Sequence, residues 1–137
     1  MREIVLDTET TGLEALGGDR VVEIGCVELI NHIPTGVTYH KYINPERTMP
    51  RGAFDVHGLS DDFLKDKPKF REVGPDFASF IAGGRLVIHN AGFDVGFLNA
   101  EFARLNIPPI PPDMVVDTLQ LARRRHPAGP NSLDALC

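Results

Sequence analysis

Ile4-Val5-Leu6-Asp7-Thr8-Glu9-Thr10-Thr11-Gly12 is the stretch from which the fold is read. Ile4 to Leu6 is a short continuous apolar run, as expected of a strand buried on both faces. Thr10-Thr11-Gly12 ends it, and Gly17-Gly18 with Asp19 makes a loop. Val21 to Ile30 is a β-branched segment in which Val22, Ile24, Cys26 and Ile30 share one face and Val21, Val27 and Leu29 the other. Asn31 to Gly36 reads as a turn punctuated by Pro34 and Gly36, and Gly36 to Ile43 as a strand pairing back. The opening is therefore a three-stranded antiparallel meander.

Further along, the pattern changes to helices and strands in alternation. Ser60 before Asp61-Asp62-Phe63-Leu64 is a capped helix start with acids in its first turn. Phe70, Val73, Phe77, Phe80 and Ile81 recur at helix spacing, with Pro75 near a start or kink and Gly83-Gly84 as the stop. Leu86-Val87-Ile88 is a second buried strand. Phe93 to Leu105 is a helix with Leu98, Phe102 and Leu105 as its stripe. Pro108, Pro109, Pro111 and Pro112 stiffen a connector to a short strand at Val115-Val116, and a helix is expected over Asp117 to Arg125. Asn131-Ser132-Leu133-Asp134 looks like one more helix start. Such an order predicts an α/β mixed sheet covered by helices.

With 137 residues, no internal repeat and no linker, the chain reads as a single domain over 1–137. Its 42% apolar and 24% charged residues exclude a disordered tail, a collagen-like fibre and a disulfide scaffold. No run of about 18 apolar residues occurs, so no membrane span is expected. No long apolar stretch follows Met1-Arg2-Glu3, so no secretory signal is visible. Two cysteines, Cys26 and Cys137, point to a reducing, cytoplasmic compartment. A net charge of −5 argues against coating nucleic acid by charge alone.

Asp7 and Glu9 lie where the first strand ends, two apart on an extended chain, so both carboxylates project the same way. Two roles fit such a pair: a solvated loop carrying two acids, or a site where a hard cation such as Mg²⁺ relieves their repulsion. Asp94 follows the second buried strand and shares a helix stripe with Leu98. It is either an N-cap or a ligand. Both acidic sites sit at the C-terminal ends of central strands, where open α/β sheets place their chemistry.

These residues carry a resemblance. Asp7-Thr8-Glu9-Thr10-Thr11-Gly12 matches the first motif of the DnaQ-like, or DEDD, 3′→5′ exonucleases, and His89-Asn90-Ala91-Gly92-Phe93-Asp94 matches the second. Val56-His57-Gly58-Leu59 looks like that family's substrate-side segment, and Asn131-Ser132-Leu133-Asp134 like the stretch leading to its third motif. The resemblance spans the whole chain in the right order. It implies a ribonuclease H-like fold and proofreading removal of nucleotides from DNA 3′ ends, by hydrolysis with two divalent metal ions, Mg or Mn. It further implies that Asp7, Glu9 and Asp94 are the catalytic metal ligands, Asp7 bridging both ions. Thr10 and Leu13 would hold the terminal nucleotide, and His57 and Phe93 would line the same pocket. His89 and Asn90 would shape the turn that presents Asp94, and they are counted with the substrate contacts. Local roles stay open for several of these: Thr10 closing its own turn, His57 bonded within a turn, Phe93 in the core, His89 structural. Implied partners are a single-stranded or frayed DNA 3′ end, the catalytic subunit of a DNA polymerase and a small accessory subunit. No membrane is involved.

The family also uses a fourth acid and, in one branch, a general-base histidine, as His-x-x-x-x-Asp on a late helix. The spacing occurs from His57 to Asp62 and from His89 to Asp94, neither in the right place. Asp117 is expected to be an N-cap and not a ligand, and Asp134 is not promoted. The expectation is thus a domain lacking its final helix, C-terminally incomplete and catalytically weak. A non-catalytic scaffold or polymerase-binding subunit, and an RNA or oligonucleotide 3′ exonuclease, are the rival readings. Arg123-Arg124-Arg125 suits a solvated helix end or a DNA contact, while Lys65, Lys67, Lys69 and Arg71 read as solvated.

Overall fold

The computed structural model describes residues 1–120. β1 (Arg2–Thr10), β2 (Val21–Ile30) and β3 (Ile33–Tyr42) form the expected antiparallel meander. β4 (Arg85–Ile88) and β5 (Val115–Asp117) add parallel strands, giving the order β3-β2-β1-β4-β5 with β1 at the centre. Among the described residues four α-helices, α1 (Arg51–His57), α2 (Asp61–Leu64), α3 (Phe70–Ile81) and α4 (Ala91–Arg104), connect or flank the strands, and residues 118–120 are helical. The sheet is mixed and the class α/β, as the alternation of patterns requires.

The structure corrects several boundaries. The turn between β2 and β3 is not Asn31 to Gly36 but the pair Asn31-His32, at φ 49° and 68°, a conformation matched to the twist of a tight hairpin. β3 therefore starts at Ile33. Gly36 lies inside it, beside a register shift between Val27 and Leu29 that takes up the irregularity. α1 was not expected, and it buries no residue, so no apolar period announces it. Its bounds are local: Pro50 at the start, and Gly58 at φ 72° returning its N–H to Phe54 O at the end. α4 starts two residues earlier than expected, and Asp117 is the last residue of β5 before the next helix. The remainder of that helix, Arg123-Arg124-Arg125, Asn131-Ser132-Leu133-Asp134 and Cys137 lie outside the described residues.

Along β1 the side chains alternate. Ile4, Leu6, Thr8 and Thr10 are buried, while Val5 is 41% exposed and Asp7 is exposed. Among the described residues β1 is thus covered on one face only, against the expectation of burial on both. The covered face packs Ile4, Leu6, Ile24, Leu86 and Ile88 against Phe77 of α3 and Phe97, Leu98 and Phe102 of α4. Each such side chain contributes about 1.5–3 kcal/mol by leaving water. Cys26 faces this core, and burial pushes its thiol up to about 12.

Candidate active site

The site grows from the carboxyl ends of β1 and β4. Asp7 and Glu9 project from the open face of β1, opposite Gly25 and Glu23 of β2. Burial raises the Glu9 carboxyl above its ordinary range, and the neighbouring Asp7 and Glu23 charges raise it further against an opposing effect of His57. Thr8 stands between the two acids but points to the buried face. There its hydroxyl donates to Asp94 Oδ1, a bond between residues 86 positions apart. Its backbone N–H donates to Asp7 Oδ1 at 3.0 Å.

Asp94 lies in the first turn of α4 and is 5% exposed. Burial, with the charges of Asp7, Glu9 and Asp117 adding to it, pushes its carboxyl up to about 6 even though the Thr8 hydrogen bond favours the charged form. Asp94 is not the N-cap. The α4 start is capped from β5: Asp117 Oδ1 accepts from Asn90 N and Oδ2 from Ala91 N, each at 3.1 Å. Asp117 Oδ1 also accepts from Leu119 N at 2.9 Å, so the expected capping role is its observed one.

Beside these acids opens a cavity of about 590 Å³ whose lining includes Glu9, Thr10, Leu13, Val56, His57 and Phe93. Its wall is largely apolar, from Leu13, Pro50, Ala53, Val56 and Phe93, and its volume suits an aromatic ring with a sugar attached. Leu13 is 79% exposed at the mouth. Thr10 donates its hydroxyl to Gly12 O at 2.6 Å, so it closes the turn as well as lining the cavity. A Cβ at Gly12 would push the Asp19 carboxylate off its bonds to Thr11 Oγ1, Glu14 N and Arg47. His57 accepts from Leu59 N on Nδ1 at 3.0 Å, which leaves Nε2–H to donate to Thr10 O at 3.1 Å. Both ring nitrogens are therefore engaged, and His57 is a wall of the cavity, not a free base. Phe93 packs on Phe97 with ring centroids 4.9 Å apart, serving core and cavity together. His89 and Asn90 are outside the cavity: His89 Nδ1 bonds Thr118 Oγ1 at 3.0 Å, and Asn90 takes the left-handed turn at φ 62°.

Two functional supports carry no sequence signal. Thr8 is one, because a buried strand threonine looks like any other. The second is the pair Arg20–Glu101. Glu101 of α4 is 2% exposed and takes Arg20 Nη2 at 2.7 Å and Nε at 2.9 Å, with Val21 N at 3.1 Å. Arg20 O accepts from Thr11 N at 2.8 Å, so this pair ties α4 to the turn after β1.

Among the described residues, no group of three His, Cys, Asp or Glu side chains converges closely enough to hold one metal ion. Asp94 is drawn down to Thr8 while Asp7 and Glu9 face out from the sheet. The donor chemistry nonetheless fits a hard divalent cation: the donors are all carboxylate oxygens, and the Asp7 charge adds to the raised proton affinity of Glu9 and Asp94.

Fold and acids together define an α/β exonuclease-type domain. The exonuclease family model matches residues 4–137, and the chain belongs to that family. It is 51% identical over 140 residues to the DNA polymerase III subunit epsilon of Rickettsia prowazekii, covering all of this chain and 61% of that protein. The chain thus spans about three-fifths of the length of this relative. Exonuclease X, solved in complex with 5′-overhanging duplex DNA, superimposes with a TM-score of 0.72 at 29% identity, over 97% of this chain and 69% of that one. A product-bound exonuclease I superimposes with a TM-score of 0.82 at 18% identity, over 97% and 35%, which bears on the fold alone. The fold is ribonuclease H-like, as the resemblance implied. Exonucleases of this family use divalent metal ions. No helix among the described residues is long and apolar enough to cross a membrane.

Proposed function

We propose that the chain is a 3′→5′ exonuclease domain that removes nucleotides from DNA 3′ ends in replicative proofreading, with two divalent ions, Mg or Mn, as cofactors. The observation that carries this reading is a buried carboxylate, Asp94, electrostatically coupled to Asp7 and Glu9 beside a nucleotide-sized cavity. Asp7, Glu9 and Asp94 would hold the ions. Bound there, divalent ions supply charge stabilisation on the scissile phosphate and leaving oxygen and activation of the attacking water. Leu13, Val56 and Phe93 offer apolar surface to the terminal base and sugar. Thr10 and His57 brace that wall through the bonds to Gly12 O and Thr10 O. His89 and Asn90 act by shaping the turn ahead of Asp94.

Among the described histidines, His57 uses both ring nitrogens locally and His89 is bonded to Thr118, so neither is placed as general base. Weak turnover of the 137-residue chain is part of this reading, supported by the local engagement of these two described histidines. Relatives named as DNA polymerase III subunits support a place in that polymerase complex, and the motif resemblance adds its catalytic subunit and a small accessory subunit as partners. The test is release of mononucleotides from 3′-end-labelled single-stranded DNA with Mg²⁺ or Mn²⁺, against EDTA, with Asp94→Asn and a matched RNA strand as controls. Metal-dependent release from DNA, lost in Asp94→Asn, is expected. Equal release with EDTA, or release from RNA alone, sinks the reading.

A further inference from the structure

We propose that Thr8 is a positioning residue that holds Asp94 by one carboxylate oxygen and leaves the other free to receive a divalent cation. This deepens the proposed function and rests on it.

The argument is geometric. Thr8 donates twice, from its backbone N–H to Asp7 Oδ1 and from its hydroxyl to Asp94 Oδ1. One residue thus tethers two acids that leave β1 and α4 in different directions. Among the described residues, no donor reaches the second oxygen of either acid. For Asp94 this is costly, since a buried carboxylate oxygen without a partner has lost its water and gained nothing. A cation is the partner that a buried anion ringed by anions lacks. Among the described residues arginine and lysine do not fill that place: the half-buried Arg20 is spent on Glu101.

The tether is stiff. Thr8 is β-branched, its strand conformation restricts χ1, and it is itself buried, so its hydroxyl has little freedom to turn away. Serine keeps the donor but loses the branch. Valine keeps the shape and loses the donor. In either variant the backbone bond to Asp7 persists, so the substitutions isolate the arm that reaches Asp94.

The experiment is Mn²⁺ titration by calorimetry of the full chain and its Thr8→Val, Thr8→Ser and Asp94→Asn variants, each shown folded by circular dichroism. Wild type is expected to bind Mn²⁺ and Asp94→Asn to lose most of that binding. Thr8→Val is expected to bind about 10- to 100-fold more weakly, and Thr8→Ser to recover most of the affinity. A merely structural threonine would lower the melting temperature of Thr8→Val and leave the affinity of the folded protein unchanged. Should Thr8→Val not fold, Thr8→Ala against Thr8→Ser carries the same comparison. Equal or tighter Mn²⁺ binding by folded Thr8→Val, with Asp94→Asn defective, overturns the Thr8 role and leaves the metal site standing. No Mn²⁺ binding by wild type overturns the metal site and the Thr8 role with it.

Discussion

Helix α4 buries two carboxylates about two turns apart, Asp94 and Glu101, and the fold surrounds them differently. Glu101 meets a bidentate guanidinium and a backbone N–H, so its oxygens are paired on both sides. Asp94 receives one hydroxyl and faces the charges of Asp7, Glu9 and Asp117. The same helix and nearly the same burial thus give one satisfied anion and one left short of positive charge. The first holds α4 against β2 and the turn after β1. The second is the position where the molecule gives up stability, which is the ground on which it is proposed as a metal ligand.

The largest break in this comparison is Glu101→Ala. It leaves the half-buried Arg20 guanidinium with only Glu46, at 3.9 Å, and takes the acceptor from the buried Val21 N–H, at a cost of about 3 kcal/mol, the low end for breaking a buried pair. Urea unfolding should show a midpoint lowered accordingly with an unchanged slope. Replacing both residues, as Arg20→Leu with Glu101→Leu, should cost less than Glu101→Ala, because no charge is then left buried and alone. A loss below about 1 kcal/mol for Glu101→Ala would remove the distinction between the two acids.

The second break is Asp94→Asn, with the opposite sign. In the absence of divalent metal, the folded-state pKa of about 6 lies above the ordinary aspartate value of 3.8. The folded state therefore holds a proton that the unfolded chain has released, and Asp94 adds stability as the pH falls from about 6 towards 4. Across that window the contribution reaches about 3 kcal/mol, and near pH 7 it appears as a destabilisation of the same size. Glu9, also raised, adds in the same direction, whereas Glu28, lowered chiefly by its hydrogen bond to Arg2, acts in the opposite one. Asp94→Asn should be more stable than wild type at pH 7 in EDTA, with the advantage shrinking towards pH 4. Denaturation midpoints over that range decide it; parallel curves for the two proteins would mean that Asp94 is not under strain.

How far the sequence could show this follows from the range of its signals. Asp7 and Glu9 were legible as a pair because strand alternation is local. Asp94 is singled out through its motif as a ligand or an N-cap, and the N-cap alternative falls because Asp117 caps α4 from another strand. Phe70 to Ile81 matches α3 because five apolar positions share one period. α1 escaped because it buries nothing, and β3 was trimmed because Pro34 and Gly36, which punctuate turns, here sit in a strand with a register shift. Glu101 and Thr8 stayed invisible for one reason. Their partners lie 81 and 86 positions away, and no local pattern in a single chain encodes such a pairing.

The smallest effect, and the sharpest, belongs to Asp117. Asp117→Asn keeps one acceptor but cannot accept at both Asn90 N and Ala91 N, so a cap on α4 is lost, at about 1 kcal/mol. The same change removes one of the charges that raise Asp94. At pH 7, where Asp94 is ionised, that relief offsets part of the lost cap; near pH 5, where Asp94 holds its proton, it does not. Asp117→Asn should therefore cost more at pH 5 than at pH 7, an inversion that capping alone does not produce. In an Asp94→Asn background the cost should be the same at both pH values, since no carboxylate is left at 94 to be relieved. A double-mutant cycle run at the two pH values measures that coupling directly. If the cost of Asp117→Asn stays flat with pH in wild type, Asp117 is only a cap, and the strain on Asp94 comes from its burial and from Asp7 and Glu9.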